Sequence, residues 1–277
     1  MQKIDTHQHF WKYNPINHSW INEGMTLLKN DFTPDDLFPL LEKTGFDGCI
    51  AVQVDEDEAD NDFLLSIANQ NEFVKGVIGW VDLLNDNIEA RLNHYQQFNK
   101  LKGFRYMLQG KEPRDLMLSK DFTNGVGLLN KYNFIYEILI LSDQLPYVNE
   151  LVSKFPEQPF VINHLAKPMI KYGKIKQWSK EIKAIAKHEN ISCKVSGMVT
   201  EADWKNWNYH DFNPYLDVVF NAFGADRLMF GSDWPVCNLA GGYHKVYEIM
   251  ERYTLQLSAT EQEKFWGGNA LAFYQIK

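Results

Sequence analysis

Residues 4–10 read IDTHQHF, a short β-type run that closes on two histidines. Seven runs of similar length follow at intervals of a few tens of residues: GCIAVQV (48–54), VKGVIGWV (74–81), LKGFRYML (101–108), FIYEILIL (134–141), FVINHL (160–165), ISCKVSGM (191–198) and RLMFGSDWPV (227–236). Their β-branched and aromatic content and flanking Gly or Asn make them strands, and near-continuous apolarity suits a parallel sheet buried on both faces. Helix-period stretches separate them, over residues 35–43, 61–70, 86–98, 121–131, 143–154, 174–188, 213–223 and 243–253. Eight alternating units predict a (β/α)8 TIM barrel, because a doubly wound sheet would use about six strands and a glycine-rich first turn. No GxGxxG or phosphate-loop motif follows any of the runs. The tail SATEQEKFWGGNALAFYQIK predicts a C-terminal helical extension, capped by Ser258, stopping at Gly267 and Gly268 and then briefly resuming. No Pro- or Ser-rich linker divides the chain, so residues 1–277 are expected to form one domain.

Composition narrows the function. Of the 277 residues, 45% are hydrophobic and 23% charged, which excludes intrinsic disorder and a disulfide-framework chain. A net charge of −8, from 28 basic and 36 acidic residues, disfavours nucleic acid and anionic membrane surfaces as partners. Cys49, Cys193 and Cys237 are far apart and odd in number, and read as buried free thiols. The opening MQKIDTHQHFWKYNP has no signal-peptide pattern, no run approaches the roughly 18 apolar residues of a membrane span, and a cytoplasmic location is expected.

In a barrel the chemistry sits at the C-terminal ends of strands, so polar residues there carry the weight. Alternation puts His7 and His9 on one side of the first strand, with Gln8 pointing away. The sixth strand closes in Asn163-His164 and the eighth in Gly231-Ser232-Asp233. A carboxylate directly after LMFG needs a charge partner or a chemical role, because burying it unpaired is costly; capping its own loop is the plain alternative. Arg105 on the fourth strand offers a fixed cation, or else an ion pair with Glu137 on the fifth. Gln53 and Lys194 are further strand-borne polar groups, as substrate contacts or as structural hydrogen bonds. Trp11, Trp80, Trp207 and Trp234 could stack on a sugar ring, with packing as the alternative. The acidic run 55–62 is expected to be solvated and to cap a helix, and His18, His94, His188, His210 and His244 are expected at the surface.

DTHQHFW, GFR, NHLAKP, KVSGM, FGSDWPV and FWGGNALAFY, in that order across nearly the whole chain, resemble the amidohydrolase superfamily, in particular its branch of sugar lactonases. Binuclear relatives carry a bridging lysine or glutamate and a further histidine on the middle strands; FIYEILIL has no histidine, so two metals are not expected. The resemblance implies hydrolysis of a small-molecule sugar lactone to the aldonic acid in carbohydrate catabolism. Asp233 would activate water, and His164 and Arg105, helped by His7 and His9, would polarise the carbonyl. Trp11, Gln53, Lys194 and Trp234 are the expected substrate contacts. No metal is expected to be required; one divalent ion such as zinc, on His7, His9 and Asp233, is the alternative. Rival readings are a metal-dependent decarboxylase, a pyrone-dicarboxylate lactonase, or an inactive sugar-acid binding protein. A homo-oligomer is left open.

Overall fold

The computed structural model describes residues 2–276, and every run becomes a strand: β1 (Ile4–Gln8), β2 (Gly48–Val52), β3 (Val74–Gly79), β4 (Leu101–Met107), β5 (Ile135–Leu139), β6 (Phe160–Ile162), β7 (Ile191–Val195) and β8 (Leu228–Phe230). All pairings are parallel and follow chain order. His9 N–H to the Trp234 carbonyl and Asp233 N–H to the His7 carbonyl, both 2.8 Å, draw the two ends of the sheet together. The architecture is the (β/α)8 barrel that the alternation predicts.

The helices are α1 (Pro34–Thr44), α2 (Glu58–Gln70), α3 (Ile88–Tyr95), α4 (Lys120–Leu129), α5 (Leu145–Lys154), α6 (Lys176–Ile185), the short α7 (Met198–Glu201), α8 (Asn213–Phe223), α9 (Tyr243–Thr254), α10 (Ala259–Glu263) and α11 (Asn269–Phe273). Strand alternation divides the core. On β5, Tyr136 and Ile138 pack in the cluster shared with the helices, while Ile135 belongs to a separate interior cluster with Ile4, Ile50, Val161 and Met229. Ala270 and Tyr274 of the tail complete that interior cluster. On β1 the alternation breaks. Ile4 is interior, so a regular strand would turn His7 outward, but the β1–β2 register shifts between Asp5 and Gln8. Such an irregularity re-aims side chains, and it brings His7 round to the strand-end cluster described below.

The tail departs from expectation at its glycines. Ser258 does cap α10, its hydroxyl accepting the Glu261 N–H at 3.3 Å while the Glu261 carboxylate accepts the Ser258 N–H at 2.8 Å. The helix then continues through a wide π turn at Lys264–Gly268 into α11, without a stop. Gly267 serves close approach instead: a Cβ there would lie 1.8 Å from the Gln2 carbonyl oxygen, against the entry to β1. All three cysteines are buried and free. Among the described residues, no helix is long and apolar enough to cross a membrane.

Candidate active site

Three strand ends, those of β1, β6 and β8, deliver one cluster. Asp233 Oδ1 lies 3.6 Å from His9 Nε2, 3.8 Å from His164 Nε2 and 4.0 Å from His7 Nε2. The His7 ring stands 5.0 Å from the His9 ring and 4.3 Å from that of His164. Each group is held from behind. His9 Nδ1 is 2.7 Å from the Val52 carbonyl, which can only accept, so the proton is on Nδ1 and the Nε2 lone pair faces Asp233. His164 Nδ1 meets the Ser196 hydroxyl at 2.9 Å, a partner that can accept from Nδ1–H or donate to Nδ1 and so serves both tautomers.

The backbone is bent to make this possible. His164, Leu165, Ala166 and Lys167 have φ of 53°, 53°, 58° and 48°, four consecutive left-handed residues that cost roughly 1–2 kcal/mol each. Gly197, itself at φ 64°, passes so close that a Cβ would lie 2.6 Å from His164 Nδ1. Asp233 also sits at φ 59°. Strain of this kind persists only where surrounding contacts over-determine it, and here it aims His164, Lys167 and Asp233 at one cavity.

Burial lowers the pKa of His7 well below the usual imidazole value, with His164 and Lys194 adding to the effect. His9 is lowered by burial despite Asp233, and His164 is lowered by burial to about 3. Burial opposes ionisation of Asp233, but the facing His164 and His9 outweigh it and its pKa falls below the ordinary carboxylate value. At neutral pH a carboxylate therefore faces neutral imidazoles. Arg105 adds a cation whose pKa burial brings down to about 10. Its Nη1 is 3.4 Å from His7 Nε2, and Nη2 donates to both the Gln53 carbonyl and Gln53 Oε1.

Above the cluster opens a cavity of about 570 Å³ whose wall includes His9, Arg105, His164, Asp233 and Trp11. The other expected substrate contacts are absent from that wall, for definite reasons. Gln53 is fully buried and clamps Arg105 from both sides, its Nε2 donating to the Arg105 carbonyl at 3.2 Å. Lys194 is fully buried and spends its N–H groups on Glu137, at 2.6 and 2.7 Å, and on the Thr6 carbonyl at 2.7 Å. That pair also corrects the expected alternative for Arg105: Arg105 and Glu137 are register neighbours, but the Glu137 carboxylate turns to Lys194. Trp234 is buried edge-on between Phe10 and Phe32, and Trp207 is fixed by its N–H on the Ala240 carbonyl and packs against Phe212.

Sequence reasoning missed Trp20, Trp204, Lys167, Glu201, Glu56, Gln109 and Lys111, all on the cavity wall. Lys167 stood within NHLAKP and Glu56 within the acidic run, but spacing alone gave neither a direction. The acidic run proves mixed: Asp57 caps α2, Asp60 accepts the Val54 N–H at 2.7 Å, and Glu58 pairs with Arg91. His18 is not at the surface either. It is buried 3.5 Å from Asp55 and packed against Trp11 and Tyr13.

The donor set fits one divalent cation. Ligand atoms of His7, His164 and Asp233 all lie within 4.8 Å of one another, and imidazole with carboxylate suits zinc. Tetrahedral zinc places its ligands roughly 3.3 Å apart, so the 3.8 and 4.0 Å separations from Asp233 need contract by under an ångström, and the widest, within 4.8 Å, by about 1.5 Å. His9, the expected third ligand, is 3.6 Å from Asp233 but is not one of this trio. Arg105 Nη1 stands 3.4 Å from His7 Nε2 and would give way to an ion bound there, and Glu137, the acid on β5, is taken by Lys194 and so is not free to hold a second ion. The expectation that no metal is required thus finds no support in these donors.

A family profile described as amidohydrolase matches residues 4–276. The chain belongs to the amidohydrolase family. An L-fucono-1,5-lactonase from Burkholderia multivorans is 35% identical over 285 residues, covering 99% of this amidohydrolase and 96% of the relative. An L-rhamnono-gamma-lactonase from Scheffersomyces stipitis is 24% identical, over 65% of this chain and 60% of its own. The crystal structure of an amidohydrolase from Burkholderia multivorans with bound zinc superposes with a TM-score of 0.96 at 35% identity, with both chains fully covered.

Proposed function

We propose that this amidohydrolase opens a sugar lactone of the L-fucono-1,5-lactone class to its aldonic acid. The observation that carries the reading is an ionised Asp233 facing neutral imidazoles and the Arg105 cation at the floor of a cavity of about 570 Å³, in a chain 35% identical to an L-fucono-1,5-lactonase. Asp233 takes a proton from water as the water oxygen bonds to the lactone carbonyl carbon. The lone pair on His9 Nε2 accepts the second O–H and orients that water. His164, with Ser196 donating to Nδ1 and a proton on Nε2, joins the Arg105 guanidinium in holding the tetrahedral oxyanion. Collapse breaks the bond to the ring oxygen, and Asp233 returns its proton to that oxygen. When a divalent ion is bound, His7, His164 and Asp233 would hold it, and it would supply carbonyl polarisation and a more acidic water.

A pH-indicator assay over sugar and pyrone lactones, run with and without chelator, tests the reading. Acid release from an aldonolactone is the expected result; carbon dioxide from a carboxylated ring, with no acid from any lactone, would replace it with a decarboxylase. The geometry does not favour that rival, because β5 presents Glu137 bound to Lys194 and no histidine.

A further inference from the structure

The cavity wall beyond β2 and β4 carries polar atoms that nothing in the protein satisfies. Glu56, just past β2, accepts at Oε2 from Lys111 Nζ at 2.6 Å, while its Oε1 is buried without a hydrogen-bond partner. Gln109, just past β4, likewise leaves Oε1 buried and unpartnered. Both residues line the cavity, with each Oε1 covered, so that a ligand hydroxyl reaches it once the end of the side chain turns. Buried acceptors without donors are rare, because each forfeits the hydrogen bonds it had with water, and two on one wall call for a ligand that donates.

The charges say what kind of ligand. Arg105, Lys111 and Lys167 on the wall are matched by Glu56, Glu201 and Asp233, and both lysines are already paired, Lys111 with Glu56 at 2.6 Å and Lys167 with Glu201 at 3.5 Å. A carboxylated ligand would have to break one of these pairs or compete with Gln53 for Arg105. A neutral ligand bearing hydroxyls would not, and each of its O–H groups can donate to a waiting acceptor.

We propose that Glu56 and Gln109, with Lys111 holding the carboxylate in place, form a subsite that reads hydroxyl groups on the substrate ring and makes the enzyme selective for polyhydroxylated lactones. The proposal rests on the lactonase reading above. One ring hydroxyl donates to Glu56 Oε1 and another to Gln109 Oε1. The ring is thereby located in the cavity by groups remote from the carbonyl being attacked.

The test compares kcat/KM for L-fucono-1,5-lactone and for δ-valerolactone, which has the same ring and no hydroxyls. In the wild-type enzyme the hydroxylated lactone is expected to be the better substrate by a hundredfold or more. Glu56→Ala should lower that ratio by about 10- to 100-fold and Gln109→Met by about 3- to 10-fold, chiefly through KM, as for lost hydrogen bonds to charged and neutral acceptors. Glu56→Asp should restore part of the loss. Gln109→Met keeps the side-chain volume, so the test stands even if Glu56→Ala fails to fold. A ratio within twofold of wild type in the folded variants overturns the subsite while leaving the lactonase reading intact. A wild-type enzyme that opens neither lactone overturns both.

Discussion

Glu137 with Lys194, deep in the barrel, and Asp233 with its imidazoles, at the strand ends, are similarly buried, yet their hydrogen bonding is opposite. The deep pair is saturated. Lys194 uses its donors on Glu137 and the Thr6 carbonyl, and Glu137 also accepts from Asn163 at 2.9 Å and from the Tyr274 hydroxyl at 2.7 Å. The upper cluster converges acceptors on one another: His9 Nε2 and Asp233 Oδ1 are 3.6 Å apart without a proton between them, and His7 Nδ1 has no partner. Burial alone does not mark a functional site. A closed network holds the fold, and an open one waits for water, substrate or a cation.

The sharpest way to break the contrast is Asp233→Asn. Asparagine tolerates the left-handed backbone, so the fold should survive with its thermal midpoint nearly unchanged, while kcat falls by about 10³- to 10⁴-fold. A kcat within tenfold of wild type would place the base elsewhere. Lys194→Met attacks the closed network and should cost about 3–5 kcal/mol in urea unfolding, because Glu137 is left buried and uncompensated. Adding Glu137→Gln should recover part of that; a loss below about 1 kcal/mol for Lys194→Met would show the pair is not structural.

Zinc affinity measured against a competing chelating dye sharpens the upper half of the contrast. One ion per chain is expected, bound about 10- to 100-fold more weakly in Ser196→Ala, which loses the group orienting His164. Equal affinity in the two proteins would mean that Ser196 does not orient His164 as a ligand. The smallest effect concerns pH. The imidazoles, with lowered pKa, stay neutral and Asp233, also lowered, stays ionised through the near-neutral range, so kcat/KM in metal-free enzyme should hold level around the ordinary imidazole value of 6.5. It should fall as pH drops below the ordinary imidazole value, through protonation of the lowered imidazoles and then of Asp233, which lies below the ordinary carboxylate value of 3.8. An acid limb centred near 6.5 would reveal a histidine titrating in the normal range.

Much of this molecule is legible along the chain because its signals are local. Strand runs and helix-period stretches needed only neighbouring residues, and α8, expected at 213–223, forms at Asn213–Phe223. His7, His9, His164 and Asp233 were legible as polar residues closing apolar strands. Direction was the harder property. Lys194 and Gln53 sit on strands just as Arg105 does, but whether such a group reaches the cavity or a neighbour depends on which side chain lies opposite two or three strands away. Trp11 and Trp234 flank similar strand ends, and only the first reaches the cavity, because Phe10 and Phe32 enclose the second.

The sequence by itself determined the alternation of eight strands and helices, the absence of a histidine from β5, and the set of residues able to do chemistry, since periodicity and residue type are carried by the chain directly. The tertiary structure alone decided which of those residues meet. The register shift in β1, the left-handed run from His164 to Lys167, and the choice of Glu137 for Lys194 over Arg105 arise from contacts between residues far apart in the chain. Those contacts separate buried charges that neutralise one another from those left open to a substrate.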